Sequence, residues 1–388
     1  MVKMPKFTEC QIVISILLAV FLALLVVTFL DKDRTSMLWR GDYPGIYVPA
    51  RLFISGDIEH FYDQQTQQQL ENRFWPSLAG NYYISSYPPN SVIFTAPFAY
   101  LTPLLSKWLW TGAMFLLLVL CVFGYLPRFL GDLTLNHKIL ICLMPPLLLG
   151  VLSGQNNALS LFLFLSALTL LAGNTRQHSF FAGCLLALWL FKPQYPLFFV
   201  LLAVMQKRIC LLSGFASGAA LIYLFNSYYF GEFWLENWLQ SSRVFTELNY
   251  HVNGYQMVSL AAVCFRLFLL LGIESVTAYK ISLGLSAILS IIFLLFLSKF
   301  KSKDSFSYLA LVVPMLAPQT LFYDISLAII GLVLLAKGEK RRAALWIIFF
   351  VWFFCEFFRG CSLFPGYFFG NLAIFICAYQ FTQKQRET

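Results

Sequence analysis

Asp42 is the residue with the plainest chemical capacity. It stands in the stretch WRGDYPGIYVPA (39–50), among aromatics and prolines, just after the first long apolar run of the chain. A carboxylate there can accept a proton from a bound hydroxyl, or it can be a solvated loop acid. Further polar groups follow at the edges of later apolar runs: Tyr87 in YPPN (87–90), Gln155 and Asn156 in SGQNN (153–157), Lys192 and Gln194 in FKPQYP (191–196), and Asp324 in APQTLFYD (317–324). Each has a structural use of its own. Asn156 and Asp324 are good helix caps, Lys192 can snorkel to an interface, and the neighbouring prolines end helices. Together they make a different set: a base, a cation and several amides.

The elements that must position them are membrane spans. The chain has 388 residues, of which 59% are hydrophobic and 12% charged, and its mean hydropathy is +0.73. A soluble domain carries about 25% charged residues. Leu/Phe/Ile runs approaching the ~20 residues that cross a bilayer recur from end to end, without the alternation of a barrel strand. The sequence therefore predicts an all-α, polytopic transmembrane helix bundle of about twelve crossings, forming a single domain over 1–388. The run at 10–30 reads as a retained first span, since no small-x-small cleavage site precedes Asp31.

Charge sets the orientation. Lys and Arg gather in short breaks near 176, 206–208, 298–304 and 337–342 and at the C-terminus, which the positive-inside rule places in the cytoplasm. Two stretches then fall outside, 31–89 and 228–254, with interfacial helices expected at 91–104 and 255–271. The net charge of +9 is used by these breaks; no compact basic domain exists to bind nucleic acid. The scattered cysteines and the widely separated histidines 60, 137, 178 and 251 lack metal-ligand spacing, so no metal or cofactor is expected. No nucleotide-binding loop is present either. With this orientation every polar junction named above meets on the outer face, which suggests one outward-facing site.

The order of these motifs carries a resemblance. GDYPGIYVPARLFISGDIEHFYD, then YPP, GQNN, KPQ and PQTLFYD, is similar to the polyprenyl-phosphate-mannose-dependent α-mannosyltransferases of the phosphatidylinositol-mannoside type, within the membrane-embedded C-type glycosyltransferases. Some members carry a histidine near the late motif, where this chain has Tyr323 beside Asp324. The resemblance implies a C-type glycosyltransferase fold, Asp42 as general base, a lipid-linked sugar phosphate as donor and a lipid or glycan acceptor. It also implies a multi-pass protein of a bacterial plasma membrane, working among membrane lipids with its site outside.

Such a donor brings its own leaving group, so one base and groups that hold a phosphate suffice. In this scheme Lys192 holds the phosphate, Gln155 and Asn156 bond sugar hydroxyls, and Tyr47 and Tyr87 stack on the pyranose. Gln194 and Asp324 join the binding set, and the aromatic stretch 228–254, with Arg243 and His251, covers one substrate. Asp57, Glu59 and Asp63 compete with Asp42 for the base. Two other readings stand beside this one. A lipid or solute transporter would bind near the midplane and show repeated halves; an O-antigen polymerase or ligase would carry a large late external loop.

Overall fold

The structure is a computed structural model that describes residues 41–131, 133–254, 256–300, 304–336 and 338–357. The expected first span at 10–30 and the last at 365–380 lie outside these residues. Among the described residues the secondary structure is helical, with one isolated antiparallel bridge between Met257 and Leu321.

The described part of the stretch expected outside, 41–89, carries two α-helices. Helix α1 (Pro44–Ser55) starts on Pro44, whose fixed φ suits a first helical position. It stops at Gly56, where φ is 77° and the backbone N–H turns back to the Leu52 and Phe53 carbonyls. α1 is no solvated segment, because Ile46, Tyr47, Val48, Ala50 and Leu52 are all buried in the main core. The polar helix α2 (Gln64–Phe74) follows, capped by Asp63, which accepts the Thr66 N–H at 2.7 Å. An extended run through 81–87 then leads to the short helix α3 (Val92–Ala99), whose eight residues are too few to span a bilayer.

The membrane character lies in what comes next. α4 (Pro103–Phe129, with a π-helical turn at Leu120–Tyr125), α10 (Ile209–Phe230) and α13 (Ser275–Ser298) are each long and apolar enough to cross. α5 (Leu135–Cys142) and α6 (Pro145–Leu152) form a pair bent by 52°, which would make a fourth crossing as one broken span. Pro145 at the head of α6 explains the break, since the residue before a proline is driven out of helical conformation. Shorter helices complete the set: α7 (Asn157–Ala172), α8 (Arg176–Leu188), α9 (Pro196–Met205), α11 (Trp234–Val252), α12 (Leu260–Leu270), α14 (Asp304–Leu316), α15 (Ser326–Leu335) and α16 (Gly338–Phe357). Outward-facing Ile281, Ile288, Ile291, Ile292 and Leu295 on α13 are the large exposed apolar side chains that lipid, not water, accommodates.

Candidate active site

Asp42 is placed by two glycine turns pressed together. Gly41 has φ +51°, and a Cβ on it would collide with the Ser153 backbone. Gly154 has φ +83°, and a Cβ there would sit 2.8 Å from the Tyr43 Cβ. Glycine alone satisfies both the backbone angle and the close approach. The contact is then closed by the Asp42 N–H donating to the Ser153 carbonyl at 2.8 Å, and by Trp110 Nε1 donating to the Gly154 carbonyl at 2.8 Å. Tyr43 is pinned on its far side by a 2.7 Å hydrogen bond between its hydroxyl and Ser106 Oγ.

This contact aligns a short chain of hydrogen bonds. Tyr87 donates its hydroxyl to Gln155 Oε1 at 3.1 Å, and Gln155 Nε2 donates to Asp42 Oδ2 at 2.7 Å. Burial raises the Tyr87 phenol, against the pull of the nearby Lys192 charge, so Tyr87 stays protonated and acts as donor. Asp42, Tyr87 and Gln155 line a cavity of about 320 Å³ with Tyr83, Ile84, Asn253, Gln256 and Phe322.

A second cavity of about 330 Å³ adjoins it. Its polar floor is a buried ion pair, Lys192 Nζ donating to Asp324 Oδ1 at 2.8 Å, with the ammonium 5.4 Å from the centre of the Tyr323 ring. Gln194, Pro193, Gln319, Tyr279 and Leu283 also line it. Ser86, Tyr87, Phe245, Asn249, Leu321 and Tyr323 border both cavities and form their common wall. The arrangement sets a carboxylate on one side of that wall and a cation on the other, in a pair of chambers of substrate size.

Comparison with known families decides the class. The family model of Glycosyltransferase family 87 matches residues 86–323, more than half of the chain. The chain belongs to glycosyltransferase family 87. No curated protein and no solved structure matches it. The matched stretch contains Tyr87, Gln155, Asn156, Lys192 and Gln194, while Asp42 precedes it and Asp324 follows it by one residue. The protein is thus a glycosyltransferase of a membrane family, and catalysis stands over transport.

Not every residue expected at the site of this glycosyltransferase reaches a cavity. Tyr47 is buried on the other side of α1, where its hydroxyl donates to the Leu101 carbonyl at 2.8 Å and its ring meets Phe74 and Trp75 edge-on. It lines neither large cavity. Asn156 makes no side-chain cap to α7, and it points to a small enclosed space of about 10 Å³ behind Tyr87 instead. Lys192 is only 4% exposed, so it is an ion-paired interior group and does not snorkel. The rival acids have local duties: Asp57 lies 2.6 Å from His60 Nδ1, and Asp63 caps α2, where hydrogen bonds from the Thr66 hydroxyl and N–H hold its carboxyl below the ordinary value. Glu59 is exposed. Arg243 pairs with Glu247 at the surface, and His251 lies 3.2 Å from the Ser275 hydroxyl.

Residues that single motifs did not suggest also line the cavities. Helix α11 presents Trp238, Ser242, Phe245, Thr246 and Asn249 to the cavities, a spacing of three and four that keeps them on one helical face. Trp238 Nε1 donates to the Ser86 carbonyl at 3.0 Å and Ser241 donates to the Ser85 carbonyl at 2.9 Å, which fixes α11 against the run that carries Tyr87. The stretch expected as an external cover is therefore one ordered helix. Its helical period of polar residues was the signal available.

Proposed function

We propose that this glycosyltransferase moves a hexose, mannose by the resemblance of its motifs, from a polyprenyl-phosphate sugar to a hydroxyl of a lipid or glycan acceptor. The observation that carries the reading is the pair of adjoining cavities, one with Asp42 and one with the Lys192–Asp324 pair. The donor phosphate sits with Lys192. An ammonium has three N–H donors, so a bond to Asp324 leaves others for phosphate oxygens. The acceptor sits in the Asp42 cavity. Its hydroxyl oxygen attacks the anomeric carbon as the proton passes to the Asp42 carboxylate, and the bond from that carbon to the phosphate oxygen breaks. Polyprenyl phosphate leaves without needing a proton, which is why one carboxylate serves where a glycosidase uses two. Attack from one cavity and departure into the other is a single displacement with inversion.

Gln155 orients the base from Tyr87, and Gln194 lines the phosphate side. The remaining features follow from charge: about twelve crossings, basic breaks in the cytoplasm, and this site on the outer face of a bacterial plasma membrane. Purified protein supplied with a panel of polyprenyl-phosphate sugars, its products read by mass spectrometry, tests the reading. Glycosylated acceptor is expected with at least one donor of the panel; turnover of nucleotide sugars alone would refute it.

A further inference from the structure

Two amides on the cavity wall are not used by the reaction as described. Asn249, 2% exposed, borders both cavities. Its Oδ1 accepts from Asn253 Nδ2 at 2.7 Å, while its own Nδ2 is buried with no partner among the described residues. Gln319 borders the Lys192 cavity; its Oε1 accepts from the Thr246 hydroxyl at 2.9 Å, and its Nε2 is likewise buried without a partner. Folded proteins rarely leave such donors unmade, because a buried N–H without an acceptor loses its hydration for nothing. Two of them on the wall of one cavity mark a place where a ligand supplies the acceptors.

We propose that Asn249, with Gln319 on the same cavity, reads the hydroxyls of the transferred sugar and sets which hexose is accepted. This rests on the reading that the donor is a lipid-linked sugar phosphate. In that reaction the phosphate stays beside Lys192 and the acceptor stays beside Asp42, and only the sugar meets both chambers. Asn249 borders both. Neutral amides match neutral hydroxyls, whereas the phosphate already has the ammonium. The amides expected from the sequence to do this work are otherwise engaged: Gln155 spends one end on Tyr87 and the other on Asp42, and Asn156 lines neither large cavity.

The test uses the full-length protein in nanodiscs and epimeric hexosyl polyprenyl phosphates as donors. Asn249→Ser keeps a side-chain oxygen for Asn253 and removes the NH₂ without adding a charge. The kcat/KM for the preferred hexose is expected to fall more than for its epimers, narrowing the preference by about tenfold or more. Binding of sugar-free polyprenyl phosphate should stay within about twofold of wild type, since none of its groups meets the amide. Gln319→Met, similar in length and without the NH₂ or a charge, leaves Thr246 its bond to the Ser242 carbonyl; it should narrow the preference in the same direction and serves if Asn249 variants fold poorly. An equal fall for every donor would reduce Asn249 to a packing residue and overturn the proposal. Weakened binding of sugar-free polyprenyl phosphate would overturn it too, by assigning the amide to the phosphate. A wild-type protein that uses none of these donors would instead remove the donor reading itself.

Discussion

Among the described residues, two backbone turns and the Gln155 amide hold Asp42 at its cavity, whereas Lys192 sits in its own within a buried ion pair. On the Asp42 side the backbone turns at 41–43 and 153–155 touch directly, and Gln155 spans from the Tyr87 hydroxyl to the carboxylate. On the Lys192 side the ammonium and the Asp324 carboxylate are 4% and 9% exposed and answer each other's charge. The difference decides what a substitution does. On the proposed mechanism, replacing the Asp42 carboxylate by an amide keeps an oxygen for Gln155, so catalysis is expected to fall much further than stability. On the same proposal, altering Lys192 leaves the Asp324 carboxylate buried without its ammonium, so stability and donor binding are expected to fall together.

The largest effect is expected at Asp42. Asp42→Asn keeps the size and an oxygen that can accept from Gln155, but it cannot take the acceptor proton. Loss of a general base costs about 10²–10⁴ in rate. Transfer should collapse while donor binding and the unfolding temperature hold, as read by initial rates, a donor binding assay and thermal unfolding. Asp57→Asn and Asp63→Asn should leave most activity, because those acids serve His60 and the α2 cap. Near wild-type transfer by Asp42→Asn would mean the proton goes elsewhere.

The ion pair sharpens the contrast. Removing one partner of a buried pair costs about 3–5 kcal/mol, whereas replacing both by apolar groups of similar size is often neutral. Lys192→Gln and Asp324→Asn should each lower thermal stability clearly. The double variant Lys192→Met with Asp324→Leu should recover it without recovering donor binding. Recovered binding in the double variant would show that Lys192 does not hold the phosphate.

A smaller effect is expected where the turns meet. Gly154→Ala must hold φ near +83° and push a methyl against Tyr43. Such strain costs about 1–3 kcal/mol, and because Tyr43 follows Asp42 it should also reduce transfer without changing donor affinity. Full activity with unchanged stability would show that this contact does not aim the base.

These effects trace how far the site could be read from the sequence. Asp42, Lys192 and Asp324 were visible because ionisable groups are conspicuous at the ends of apolar runs. Their pairing was not, since Lys192 and Asp324 are 132 positions apart and only the folded chain joins them. Gln155 and Asn156 looked alike as neighbours, yet the turn at Gly154 sends one to Asp42 and the other behind Tyr87. Tyr47 lies away from both cavities because the chain around it is helical. Pro44 and Gly56 are helix start and stop signals, and a helix between them carries Tyr47 to the packed side. The helical, apolar character is legible in the sequence, but among the described residues three helices, or four with the bent pair, are long enough to cross, and the bend at Pro145 and the way α11 lies across both cavities depend on tertiary contacts.

The smallest expected effect on transfer lies in the wall of the Asp42 cavity, where stability depends on pH. Glu71 on α2 is fully buried, and its Oε2 accepts the Tyr83 N–H at 2.7 Å, fixing the run that borders Asp42. Burial raises its carboxyl from the ordinary 4.5 to about 8, with the Tyr83 N–H opposing. Between those two values the folded protein keeps a proton that the unfolded chain has released. Stability therefore falls as pH rises through that window and levels off above it. Glu71→Gln retains an oxygen for Tyr83 and carries no charge to desolvate. At pH 8.5 the Gln variant should unfold a few degrees above wild type, and near pH 4 the two should coincide. Transfer by the variant should persist, because Glu71 lines neither cavity. Parallel unfolding profiles across the whole range would show that burial does not raise the Glu71 carboxyl.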